Sequence, residues 1–209
     1  MKKLLFSVCI LFSVFTAGQT QNEPATLFGN IKQVNIRGFG GPMVALTTLD
    51  GAATLSIGGG GAVLINNFFI GGYGLSTVSS NVQRRVSGED LYLKTSQGGF
   101  WLGYDFTPSS LIHFTTSTRL GWGRLRLYRE INSLTFPNDN EDRSVFTEGF
   151  GVITPELGIE VNLTRFMKVA FTGGYQIAFS NNFKTDAVSA IDLNGALGAI
   201  TFKFGWFGR

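Results

Sequence analysis

An all-β chain folded as a transmembrane, antiparallel up-and-down β-barrel of about eight strands is what this sequence predicts, and three observations carry the prediction. From about residue 32 onward, apolar and polar residues alternate with period two over segments of roughly 10 or more residues, long enough to cross a bilayer when tilted. Aromatics gather at strand ends beside the short turns, as with Tyr104, Phe106, Phe166, Trp206 and Phe207, the placement of an interfacial girdle. Short turns alternate with mostly longer polar loops, the asymmetry of periplasmic turns and extracellular loops. Alternation alone fits a soluble lipocalin-like barrel with a greasy interior equally well. Strand length, aromatic ends and loop asymmetry are what turn the greasy face outward.

Composition agrees with a folded chain: of 209 residues, 44% are hydrophobic, 28 are glycine and only 5 are proline, which argues against disorder. Lys2 and Lys3, the apolar run Leu4 to Phe15 and the small residues Thr16, Ala17 and Gly18 have the layout of a secretory signal peptide, expected to be cleaved after about residue 18. The apolar run falls short of the ~20 residues of a spanning helix. Cleavage takes Lys2 and Lys3 out of the 17 basic residues and leaves 15 against 14 acidic ones. The mature chain is then near neutral, and nucleic-acid binding loses its compositional support. Cys9 leaves with the leader, so no disulfide, thiol chemistry or cysteine metal site is expected, and no lipid-attachment box precedes it.

The elements follow in order. Residues 19–31 form a polar, turn-prone periplasmic lead-in, and the barrel domain is expected over 32–209. The first strand runs through Val34 and Phe39 toward Thr47, and Asp50-Gly51 signals a tight turn. The second is Thr54 to Ile65, with Leu55, Ile57, Val63 and Ile65 on one face; Asn66-Asn67 turns the chain into a third from Phe68 to about Thr77. Residues 78–90 break the alternation and read as a loop carrying Arg84 and Arg85. A fourth strand, Leu91 to Phe106, places Phe100, Leu102 and Tyr104 opposite Gln97, Trp101 and Asp105. Thr107 to Ser110 turns it into a fifth, where Ile112, Phe114 and Trp122 alternate with His113, Ser117 and Arg119. A long polar loop, about 129–144, contains Asp139, Glu141 and Asp142. Residues 153–179 then form a hairpin turning near Asn162 to Arg165, residues 180–192 form a loop, and the eighth strand is Gly195 to Phe207.

In the 153–179 hairpin, Ile153, Leu157, Ile159, Phe171, Tyr175 and Ile177 share one face, while Thr154, Glu156, Glu160, Lys168 and Gln176 share the other. A barrel of about eight strands is just wide enough to be filled by its own side chains, and charges inside must be paired. Pairing about Thr164 sets Glu160 opposite Lys168; pairing about Ser109 sets Asp105 opposite His113. With Lys203 at a similar depth, these five predict a polar plug near the periplasmic end, with Glu156 and Arg119 further up. A gated ion or proton path is the sharper alternative to a static filling. The run Gly58 to Gly61 lacks the spacing of a phosphate loop and reads as wall glycine, like Gly71-Gly72, Gly98-Gly99 and Gly173-Gly174.

The exported chain, the even strand count and the last strand, Ile200-Thr201-Phe202-Lys203-Phe204-Gly205-Trp206-Phe207, together resemble the small outer-membrane β-barrel proteins of Gram-negative bacteria, the OmpA- and OmpX-like class. That resemblance implies an outer-membrane location and a closing strand whose terminal aromatic is read by the outer-membrane assembly machinery. Here the chain continues to Gly208-Arg209, which displaces that aromatic by two residues. The resemblance is one of pattern and transfers no site residues.

Function is expected on the loops. Arg124, Arg126 and Arg129, with Arg84 and Arg85, fall near the outer rim, where outer-membrane lipid and lipopolysaccharide phosphates are natural counter-charges. Asp139, Glu141 and Asp142 lack the spacing of an EF-hand and read as a solvated acidic loop, so no metal or cofactor is expected. His113 is the only histidine; a hydrolase would have to combine it with Asp105 and a serine such as Ser117. The reading is a monomeric barrel with a structural, adhesive or surface-binding role and no catalysis. A narrow pore for small solutes and a lipid A-modifying enzyme are the alternatives.

Overall fold

The structure is a computed structural model that describes residues 35–49, 51–79, 83–86, 89–129, 144–179 and 193–207; the leader, the lead-in, Asp139, Glu141 and Asp142 lie outside these residues. Among the described residues nine strands form one antiparallel sheet: β1 (Ile36–Leu49), β2 (Ala52–Ile65), β3 (Phe68–Ser79), β4 (Gln83–Val86), β5 (Glu89–Asp105), β6 (Ile112–Arg129), β7 (Ser144–Asn162), β8 (Met167–Phe179) and β9 (Gly195–Gly205). Each barrel strand pairs with its chain neighbour, β9 returns to β1, and β3 pairs with β5 across β4. Eight strands therefore close the wall.

The stretch read as a loop over 78–90 contains β4 instead. β3 stops pairing with β5 at Ser76 and Ser96, yet β5 extends beyond that point to Glu89. The backbone groups on that bare edge need partners, and Gln83 to Val86 supply them against Tyr92 to Glu89. Arg84 and Arg85 thus belong to a strand.

At the other end the connections are short and tied together. Asn66, at φ 57°, donates its backbone N–H to Asn35 O at 2.9 Å, and its Oδ1 accepts from Asn35 N at 3.1 Å. Arg37 donates from Nη2 to Asn66 O and from Nη1 to Phe207 O, both at 3.1 Å, stitching the β2–β3 turn to the end of the closing strand. Asn162 Nδ2 reaches Ser110 O at 2.6 Å and Pro108 O at 3.0 Å, joining two further turns. At the opposite end Gly51 bends the chain between β1 and β2 at φ 79°, and a Cβ there meets no atom within 4 Å. Gly51→Ala should therefore cost about 1 kcal/mol of purely conformational strain, read as a small fall in the urea midpoint of the lipid-reconstituted protein.

Pairing in two hairpins differs from the sequence-based expectation. Glu160 faces Ala170, not Lys168, and Asp105 faces Thr115, not His113. Each turn is longer than a minimal hairpin, spanning 106–111 and 163–166, so its centre moves by one residue. The pairing slides by two, which leaves every side chain on its face.

Phe114, Trp122, Leu157, Phe171, Tyr175 and Phe179 are exposed on the outside of the wall, and Tyr104, Phe106, Phe166 and Trp206 ring the turn end. Phe207 departs from the expected girdle: it packs inside, against Phe39. Nor is the interior polar throughout. Phe39, Met43, Leu64, Phe69, Tyr73 and Trp101 line the β1–β2–β3–β5 side, and Leu49, Leu93, Leu125, Phe150 and Val152 cluster toward the loop end. Wall glycines give these rings room: Phe69 lies over Gly103 and Phe150 over Gly123, where any side chain would overlap the ring.

Candidate functional site in the barrel interior

The interior charges sit on β5 to β9, facing the aromatic side of the wall. Glu160, fully buried, is the centre. His113 is its direct neighbour on β6, and the small Ala170 opposite on β8 leaves the space beside its carboxylate open. Lys168 and Lys203 face each other in register, an arrangement of like charges that destabilises a sheet unless a counter-charge joins it. Glu160 is that counter-charge: Lys168 Nζ donates to Oε1 at 2.8 Å and Lys203 Nζ to Oε2 at 2.5 Å. His113 Nε2 lies 3.2 Å from Oε1, and its Nδ1 lies 3.3 Å from Ser110 O.

The ammoniums also meet aromatic faces. Lys203 Nζ sits 4.7, 4.9 and 5.5 Å from the ring centroids of Phe39, Phe69 and Trp101, and Lys168 Nζ lies 4.6 Å from that of Phe207. The three rings around Lys203 pack edge to face, with centroids 5.2 to 5.6 Å apart, so their negative faces are free to receive a cation. Asp105 Oδ1 accepts from Thr115 at 2.8 Å; its buried Oδ2 has no hydrogen-bond partner. Two carboxylates therefore share this layer with two ammoniums.

One layer further in, Arg119 Nη2 pairs with Glu156 Oε1, while Ser117 donates to Glu156 Oε2 at 3.0 Å. The guanidinium lies 5.4 Å from the Tyr73 ring, with Nη1 3.1 Å from Met43 Sδ. Above these, Gln97 Nε2 donates to Gln176 Oε1 at 3.2 Å, and Gln176 Nε2 to Leu193 O at 2.9 Å. The apolar cluster of Leu49, Leu93, Leu125 and Phe150 follows. Ion pairs, amides and hydrocarbon thus succeed one another along the bore.

The structure brings Glu160, Lys168, Lys203 and His113 into one cluster with Asp105 nearby, and Glu156 with Arg119 into a second. Arg124 and Arg126 are exposed on the outer face of β6. Arg84 and Arg85 lie in β4 and Arg129 ends β6, at the loop end. Sequence reasoning did not single out Arg37, Tyr73, Met43 or the Lys203 aromatic cage. In β1 the inward Phe39, Met43 and Ala45 alternate with outward Val44 and Leu46, so both faces are apolar and no polar stripe marks the inside.

Ser117 bonds Glu156 while His113 bonds Glu160 and Ser110, so the Ser-His-Asp arrangement is not assembled. Asp105, His113 and Glu160 do place ligand-type atoms within 4.8 Å of one another. Glu160, however, already accepts from two ammoniums, and a divalent ion beside them would add further positive charge at low dielectric.

No protein-family model matches the chain, and no curated protein matches it in sequence. Among solved structures, neisserial surface protein A superposes with a TM-score of 0.55 at 12% identity, covering 85% of this chain and 100% of that one. OprG of Pseudomonas aeruginosa aligns at a TM-score of 0.46 and 12% identity over 83% of this chain and 96% of its own. Ail, the attachment invasion locus protein of Yersinia pestis, aligns at 0.42 and 12% over 82% and 96%. The fold is that of the small eight-stranded outer-membrane barrels.

Proposed function

We propose that this protein is an exported outer-membrane barrel of a Gram-negative bacterium, with the short turns periplasmic and the long loops extracellular. Its bore is closed by its own side chains, and its role is structural or one of surface interaction through the loops. The observation that carries the reading is the pairing of a closed wall, greasy outside, with a bore occupied by ion pairs that satisfy one another. A bilayer solvates such an outer face, and water does not.

The interior explains why conduction is not part of this reading. Small-solute passage needs a continuous wet path, whereas Glu160, Lys168 and Lys203 bind each other on the adjacent strands β7 to β9, Lys203 reaches the rings of Phe39, Phe69 and Trp101 on the other side, and Leu93, Leu125 and Phe150 occupy the region above. Membrane-extracted protein should shift in gel mobility on heating, and wild type in planar bilayers should stay at background conductance. Full solubility without detergent would overturn the fold, and an open wild-type channel would overturn the closed bore.

A further inference from the structure

The wall closes where β9 meets β1, and this pair differs from the other pairs of the barrel. Each of those is joined by a connecting segment of the chain, and a connection limits how far two strands can slide. No connecting segment joins β9 to β1. Apolar patterning does not fix their register either, because a slip of two residues returns every side chain to its own face. A seam slipped by two would close a barrel of the same strands at a different stagger, with its greasy face still outward. The ladder is also weak here. Pro42 has no N–H to give, and pairing lapses between Gly40↔Phe204 and Met43↔Thr201. On the outside, Gly38, Gly40 and Pro42 offer β9 little to pack against.

One buried side chain spans this seam. Lys203 stands at the lapse, and the register on either side of it sets Gly41 as its counterpart on β1. With no side chain opposite, Lys203 crosses β1, and its Nζ lies 4.7, 4.9 and 5.5 Å from the ring centroids of Phe39 on β1, Phe69 on β3 and Trp101 on β5. The same Nζ donates to Glu160 Oε2 on β7 at 2.5 Å. Lys203 thus holds an acid on one side of the seam and three rings on the other. A slip of two residues shifts β1 along β9 by about 7 Å, which carries the Phe39 ring beyond the ~6 Å reach of a cation–π contact. In one direction it also puts Met43 in the place of Gly41. Arg37 crosses the seam too, from Nη1 to Phe207 O, but a main-chain carbonyl recurs at every residue and accepts in any register.

We infer that Lys203 is the register key of the barrel: its fit between Glu160 and the rings of Phe39, Phe69 and Trp101 sets which residue of β9 meets which residue of β1, and so the stagger at which the wall closes. A buried polar group fixes register in this way in coiled coils, where one of them at a core position excludes the slipped alternatives. The role is separate from holding the charge cluster together. Lys168 donates to the same Glu160, but the ring it meets is that of Phe207, on the β9 side of the seam.

Cysteine pairs on the outer face read the register directly, in a chain whose one native cysteine is removed by Cys9→Ser. Val44 faces Ile200, so Val44→Cys/Ile200→Cys should form a disulfide on mild oxidation of the bilayer-folded protein. Val44→Cys/Gly198→Cys and Val44→Cys/Phe202→Cys report slips of two in the two directions. In the native register those positions are diagonal neighbours about 7–8 Å apart, too far for a disulfide. Adding Lys203→Met should raise the ratio of slipped to native cross-links about tenfold, and Phe39→Leu should raise it as well. Lys168→Met should leave the ratio at its wild-type value. An unmoved ratio in Lys203→Met barrels that keep the heat-shifted band, or an equal rise with Lys168→Met, would overturn the inference. Loss of that band with Lys203→Met but not with Lys168→Met supports it, because closure then depends on the group that spans the seam. If both variants lose the band, Phe39→Leu decides, and a wild-type ratio there overturns the key.

Discussion

Glu160→Ala is expected to destabilise the folded barrel by about 3–5 kcal/mol, because removing one partner of a buried ionic cluster strands the others. Lys168 and Lys203 would face each other across β8 and β9 with no carboxylate between them, and His113 would lose the acceptor at Nε2. The aromatic faces around Lys203 soften this but do not replace it, since a cation–π contact contributes about 0.5–2 kcal/mol. The measurement is the unfolding midpoint in urea from lipid vesicles, read by the heat-dependent gel shift. Replacing Glu160, Lys168 and Lys203 together by apolar residues of similar volume should recover most of the loss, because it also removes the desolvated charges. A single variant as stable as wild type would mean that the cluster is hydrated and of little consequence. In planar bilayers, Glu160→Ala and Lys168→Ala should stay at the wild-type background, since the Arg119–Glu156 pair, the Gln97–Gln176 amides and the apolar cluster of Leu93, Leu125 and Phe150 still fill the bore above.

Much of this architecture is legible in the chain because period-two alternation survives the closure of the sheet. Asp105, His113, Arg119, Glu156, Glu160, Lys168 and Lys203 share one face by parity alone, and all seven side chains lie inside the wall. Parity says nothing about which residues touch. That depends on turn length, and turns longer than a minimal hairpin, centred one residue further along, move Ala170 into the place opposite Glu160 and Thr115 into the place opposite Asp105. Long side chains absorb the difference, so Lys168 still reaches Glu160 on the diagonal. Less could be read where both faces of a strand are apolar. Met43 in β1 and Leu64 in β2 have greasy neighbours, Val44 and Val63, on the outer face, and Phe39 stands between two glycines, so the aromatic half of the interior leaves no alternating signature. β4 was hidden for another reason: its four residues are paired because β5 outruns β3, a consequence of strand lengths and not of local composition.

The decision that the greasy face meets lipid has its own quantitative consequence, at Leu157. This side chain is 71% exposed on the outer face of β7, about 10 Å above the end of the strand at the short turn, which places it toward the middle of an apolar band ~25 Å tall. Leu157→Arg should cost about 2–4 kcal/mol when unfolding is measured from a bilayer, while Ile112→Arg, beside the turn, should cost only about 0–1 kcal/mol. In water the ordering has no reason to exist, because an exposed leucine exchanged for arginine on a soluble barrel changes stability by about 0.5 kcal/mol or less wherever it stands. The gradient between the two sites is therefore the discriminating quantity, and guanidinium unfolding of both variants from phospholipid vesicles measures it. Equal, small losses at Leu157 and Ile112 would put water where lipid is assigned, and would turn the ring of Tyr104, Phe106, Phe166 and Trp206 from an interfacial belt into ordinary surface aromatics.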